Sequence, residues 1–198
     1  MIFIKGLILG FSIAAPVGPI GLLCINKTLQ NGKLSGFLSG MGAASADMVY
    51  GSIAAFGLTA ISSFLLKEAS VIKLVGGLFK CYFGVKTFLS VKNLKSAELS
   101  SDNLLKDYFS TFLLTITNPM TIISFTAIFA GLGIVSANRS LLSSSLLVFG
   151  VFLGSALWWL FLSFGVCFIG KKSNESFIAV VNKTSGIIIL AFGIFALI

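Results

Sequence analysis

Histidine is missing from all 198 residues, which removes the commonest metal ligand and the side chain best suited to proton exchange near neutrality. Charge is scarce as well, at 10% of the residues against about 25% in a soluble domain. So few charged groups cannot coat a water-facing surface. With 57% hydrophobic residues and a mean hydropathy of +1.05, they exclude a soluble globule, a disordered chain and a nucleic-acid-binding module. The formal net charge of +8 lies mostly on lysines between apolar runs, where topology and anionic headgroups account for it. Cys24, Cys81 and Cys167 each sit in an apolar stretch without C-x-x-C spacing, so neither a disulfide framework nor a redox pair is indicated. An enzyme would need a nucleophile with its base, a metal cluster or paired carboxylates. None of these is legible, and no metal or cofactor is implied.

What remains is an all-α integral membrane protein embedded in a lipid bilayer. Charge-free runs from Gly6 to Asn26, from Leu34 to Leu66 with Asp47 as its interruption, from Tyr108 to Asn138 and from Ser140 to Gly170 mark four helices. A third-place helix over Lys73 to Val91 carries Lys80 and Lys86, and a last one from near Phe177 has Lys183 close to its start. Both reach a full span if Lys86 and Lys183 snorkel. Six transmembrane helices in a single domain, 1–198, is the economical count, with five the alternative if the third does not cross. The N-terminus is read as a retained first helix rather than a cleaved signal, because more spans follow and Pro16 directly after Ala15 disfavours cleavage. Lys27, Lys33, Lys92, Lys95, Lys106, Lys171 and Lys172 fall in connections one, three and five, against Lys5, Lys67, Lys73 and Arg139 opposite. The positive-inside rule then puts both termini on the non-cytoplasmic side.

The halves resemble each other. V-I-K-L-V-G at Val71 to Gly76 matches V-N-K-T-S-G at Val181 to Gly186, and Phe-Gly pairs follow at Phe83-Gly84 and Phe192-Gly193. The three prolines fall in the first and fourth helices, at Pro16, Pro19 and Pro119. Three helices per half predict two inverted repeats, about 1–92 and 107–198, with Pro-broken first and fourth helices, as in secondary transporters.

Chemistry concentrates at the breaks. In A-A-P-V-G-P-I-G, Pro16 and Pro19 cannot donate backbone hydrogen bonds, and Gly18 permits unusual dihedrals. In T-N-P-M-T, Asn118 before Pro119 supplies an amide that both donates and accepts. Freed backbone groups inside a bilayer occur where they line a cavity, and opened half-helices suit a zwitterion, amide ends taking a carboxylate and carbonyl ends an ammonium. Asp47 is the one acid within an apolar run, near mid-depth, whereas Glu68, Glu98, Asp102, Asp107 and Glu175 read as connections. A carboxylate there needs a partner, a proton or a wet cavity. It is read as a proton carrier or ammonium counter-ion. The alternative is a structural carboxylate paired with Lys80 or bonded to hydroxyls such as Ser45. Tyr50, one turn on, is placed to bond Asp47 or the solute, and Gly36, Gly40 and Ala44 form a small-residue seam.

Three segments together, P-V-G-P-I-G-L-L-C-I-N-K-T-L, G-x-x-x-G-M-G-A-A-S-A-D-M-V-Y-G and T-N-P-M-T-I-I-S-F-T-A-I-F-A-G-L-G, resemble the LysE family of amino-acid exporters over essentially the whole chain. The resemblance implies six helices and export of amino acids or small derivatives across a bacterial inner membrane, coupled to protons. By motif position it points to Pro16, Gly18, Pro19, Asp47, Asn118 and Pro119. Many members read P-G-P where Val17 and Gly18 here separate the two prolines, which alters the first opening. The competing reading is a non-transporting assembly subunit or a passive pore.

Overall fold

The computed structural model describes residues 1–16, 18–56, 68–89, 101–118, 121, 124–125, 140–170 and 175–197. Within them, seven α-helices run in the order α1 (Ile2–Ala14), α2 (Pro19–Asn31), α3 (Lys33–Ala55), α4 (Ala69–Phe88), α5 (Ser101–Ile116), α6 (Leu141–Gly170) and α7 (Glu175–Leu197). No strand occurs among the described residues. The stretch Leu141–Phe168 of α6 is by itself long and apolar enough to cross a membrane, and α1 with α2 passes the same test as one span bent by 80°. At 1.5 Å per residue the 23 residues of α3 and of α7 each reach about 34 Å.

The bend has a local cause. Gly18 is extended, at φ −101° and ψ −163°, and Pro19 takes the first helical position, where its fixed φ suits a helix start and its missing N–H costs nothing. Between α2 and α3 the chain turns at Gly32, whose φ of 92° only glycine adopts without strain.

Packing is inside out relative to a water-soluble protein. Ser35, Ser39, Thr111, Thr115, Ser155 and Ser163 are buried, while Leu78, Phe161, Phe168 and Phe195 are more than half exposed. Small and hydroxylated side chains let helices approach closely, and several satisfy their hydroxyls locally. Thr28, Thr111 and Thr115 each donate to the carbonyl four residues back. The apolar exterior is what hydrocarbon requires.

Helix directions follow from the contacts. Helix α1 runs parallel to α6, with Gly6 against the Leu147 carbonyl and Gly10 against that of Val151. Helix α3 runs parallel to α5, with Ser35 bonded to Asp107, Gly42 against Tyr108 and Tyr50 bonded to Ile116. Helices α3 and α6 are antiparallel, joined at Gly40 to Trp159, Asp47 to Ser155 and Ala55 to Ser144. Helices α4 and α7 are antiparallel too, and their glycines make reciprocal contacts. A Cβ on Gly77 would meet Leu197 and one on Gly186 would meet Phe88; one on Gly84 would meet Leu190 and one on Gly193 would meet Cys81. The sequence matches Gly76 to Gly186, but the reciprocal contacts equate Gly77 with Gly186, in register with the Phe-Gly pairs.

Candidate functional site

The described residues include the two flanks of the first helix opening and the α5 side of the second, and α3 touches both. At the first, Ala14 and Ile20, either side of the bend, pack with Ala43 and Ala44 of α3 and with Trp159 of α6. Pro16 is exposed, and Gly18 and Pro19 are half-buried. Around Gly18 an added Cβ would meet nothing within 4 Å among the described residues, so they leave room at the opening.

Asp47 lies one turn beyond Ala43 and Ala44. It is 4% exposed, and its Oδ2 accepts a 2.7 Å hydrogen bond from the Ser155 hydroxyl. That oxygen in turn accepts from Trp159 Nε1 at 3.1 Å. A neutral hydroxyl and an indole therefore connect the buried acid to the wall of the first opening. Of the structural alternatives weighed from sequence, a carboxylate bonded to a neighbouring hydroxyl is what the structure shows, with Ser155 as the partner in place of Ser45. Lys80 gives its ammonium to Asn118 at 2.9 Å and not to Asp47, and Ser45 donates to the Met41 carbonyl and accepts from Tyr108.

The second opening is tied down by other helices. Helix α5 ends at Ile116, whose carbonyl belongs to the last turn and lacks an intrahelical donor. Tyr50 supplies that donor through its hydroxyl, so its proton goes to the second break rather than to Asp47, which with the solute is one of the two partners that sequence spacing offers. Asn118 accepts from Lys80 through Oδ1 and donates from Nδ2 to Thr121 Oγ1 at 2.9 Å. Pro119 lies outside the described residues. Helix α4 approaches closely: a Cβ on Gly76 would fall 2.3 Å from the Thr117 carbonyl oxygen.

The seam expected at Gly36, Gly40 and Ala44 serves two partners. Gly36 faces Thr28 and the Cys24 carbonyl of α2, while Gly40 admits the Trp159 side chain of α6. Trp159 is thus a buried packing residue, as its depth in the sequence suggests.

One polar centre escapes the sequence reading. Asp107, read as part of a connection, lies inside α5 and is 8% exposed. It pairs with Lys27 at 2.8 Å and accepts from the Ser35 hydroxyl, and Lys27 also donates to Ser110 at 2.8 Å. The charge density of S-D-N-L-L-K-D hides a helical face. Asp107, Thr111, Leu114 and Thr115, at steps of four, three and one, are all buried, and that periodicity is the signal that finds Asp107. Beside the pair lies a cavity of about 670 Å³ between α2, α4 and α5.

The comparisons with known proteins agree with this architecture. The family model described as LysE type translocator matches residues 11–198. A Bacillus subtilis (strain 168) protein named "Putative amino acid efflux protein YcgF" is 27% identical over 203 residues, covering 98% of this chain and 94% of its own length. "Uncharacterized membrane protein YrhP" of the same organism is 28% identical over 188 residues, with 87% of each chain covered. "Uncharacterized membrane protein YahN" of Escherichia coli (strain K12) is 26% identical over 147 residues, covering 70% of this chain and 63% of its own. No solved structure matches significantly. An inside-out helical bundle with a buried acid beside an opened helix, matched by this model over nearly its whole length, belongs to the LysE type translocator family of membrane transporters.

Proposed function

We propose that this transporter exports amino acids or small amino-acid derivatives across the bacterial inner membrane, driven by the proton gradient, with Asp47 as the proton-carrying group. The observation that carries this reading is the setting of Asp47: buried, bonded to the neutral Ser155 hydroxyl, and next to the bend that breaks the first span. A carboxylate locked to a cation would stabilise the bundle without titrating. One held by a hydroxyl is free to change protonation.

The hydroxyl also gives the change a structural consequence. While Asp47 is ionised, Ser155 donates to it and accepts from Trp159. When the proton is taken at Oδ2, that oxygen becomes a donor and the Ser155 hydroxyl must turn elsewhere. The bond joining α3 to α6 reverses, beside the indole that packs on the α1 and α2 bend. Proton uptake and reshaping of the first opening are thereby one event.

The same proposal takes the chain as six spans in two inverted repeats, about 1–92 and 107–198, with both termini outside the cytoplasm. The bent α1 and α2 then count as the first span, and α5 begins the fourth. Exchange of partners supports the repeat: α1 runs parallel to α6 as α5 does to α3, and the α4 and α7 glycines contact each other reciprocally. The relative named for amino acid efflux supports the cargo.

Purified protein in proteoliposomes, loaded with a panel of labelled amino acids, tests the reading. One substrate class is expected to leave faster when a pH gradient is imposed. If no amino acid moves, the cargo is wrong; if movement ignores the gradient, the coupling is wrong.

A further inference from the structure

The cavity between α2, α4 and α5 has a size, about 670 Å³, within the usual range of small-molecule sites, about 300–1,000 Å³. Its described acid, Asp107, is already engaged by Lys27 and Ser35. No other carboxylate lines it among the described residues, so among them none is left for an ammonium or guanidinium group. What the lining has to spare is donors. Asn26 is 2% exposed; its Oδ1 accepts from Gln30, while its Nδ2 finds no acceptor among the described residues. A buried amide donor without a partner is destabilising, and a bound acceptor would relieve it. Lys86 and Lys106 line the same space, are exposed, and make no ion pair with a described residue. Lys86 rests over the Tyr82 and Phe83 rings at 5.9 and 6.0 Å. These aromatic side chains give the cavity an apolar wall beside its cationic groups.

We infer that this cavity is a loading site for carboxylate-bearing solutes and rejects cationic ones. Asn26, Lys86 and Lys106 take the acid groups, and an acidic amino acid, with a carboxylate for each ammonium, fits best. Neutral amino acids bind more weakly, and basic amino acids, which bring a second positive charge to a lining whose described acid is already paired, bind least. The inference rests on amino-acid export and names the class of cargo. Its position agrees with that role, because Lys27 and Lys106 belong to the side to which the positive-inside rule assigns the cytoplasm.

Equilibrium binding of labelled glutamate to the full chain in nanodiscs tests it, with alanine, free lysine and glutarate as competitors. Glutarate has two carboxylates and no amino group, so it probes the cavity without assuming an amino-acid cargo. Glutamate is expected to bind at least about tenfold tighter than free lysine, the worth of one charge-assisted contact. The double variant Lys86→Gln, Lys106→Gln alters exposed side chains, and is expected to lose that preference while alanine binding changes less. Asn26→Leu should weaken glutamate and glutarate together. Free lysine binding as tightly as glutamate, or a double variant that binds like the wild type, overturns the inference and leaves amino-acid export standing. Binding of glutarate alone, lost in the double variant, upholds the cavity as a carboxylate site and removes the amino-acid cargo. If neither glutarate nor any amino acid binds, the cavity is not a loading site.

Discussion

The two helix openings solve one problem, freed backbone polar groups inside a membrane bundle, in opposite ways. At the first, the chain bends by 80° and an added Cβ at Gly18 would meet nothing among the described residues. The nearest acid, Asp47, reaches it through Ser155 and Trp159. At the second, Tyr50 fills the last-turn carbonyl, Lys80 and Thr121 engage Asn118, and Gly76 lets α4 press against Thr117. The first has room to change shape, and the second is pinned. Buried acid and buried base are kept apart, Asp47 toward the first opening and Lys80 at the second, so neither neutralises the other.

That contrast breaks if alanine at Gly76 and at Gly18 have the same effect. Gly76→Ala puts a methyl group 2.3 Å from the Thr117 oxygen, where backbone must move; overpacking of this kind costs about 1–3 kcal/mol. A marked fall in melting temperature of the purified protein is expected. Tyr50→Phe leaves the Ile116 carbonyl without its donor and is expected to destabilise by about 1–2 kcal/mol, read in the same melts. Unchanged stability would mean that the second opening is not held by Tyr50. Gly18→Ala should stay within about 0.5 kcal/mol of the wild type, as substitutions into open space do, yet slow efflux because the methyl group narrows the first opening. A Gly18→Ala protein that melts early would remove the contrast.

Much of this was legible in residue types. Pro16, Gly18 and Pro19 locate the first opening because proline chemistry acts locally, and Asp47 stands out because a lone acid in an apolar run has few explanations. What escaped depends on partners distant in sequence. Tyr50 lies on nearly the same helical face as Asp47, but its hydroxyl reaches 66 residues along the chain to Ile116. Lys80 reads from sequence as a partner for Asp47, and only the placement of α4 against α5 brings it to Asn118. Asp107 was hidden by its neighbours' charge, since local charge density marks a loop as readily as the polar end of a buried helix.

The most direct test separates two activities of Asp47→Asn in proteoliposomes: net efflux driven by an imposed pH gradient, and exchange of labelled for unlabelled amino acid at equal pH. Asn keeps the shape and can still hydrogen-bond Ser155, but cannot carry a proton. Loss of gradient-driven efflux with exchange retained is the expected result. Gradient-driven efflux that survives in Asp47→Asn, with the wild-type pH dependence, would contradict a proton-carrying Asp47 and leave it a structural link between α3 and α6.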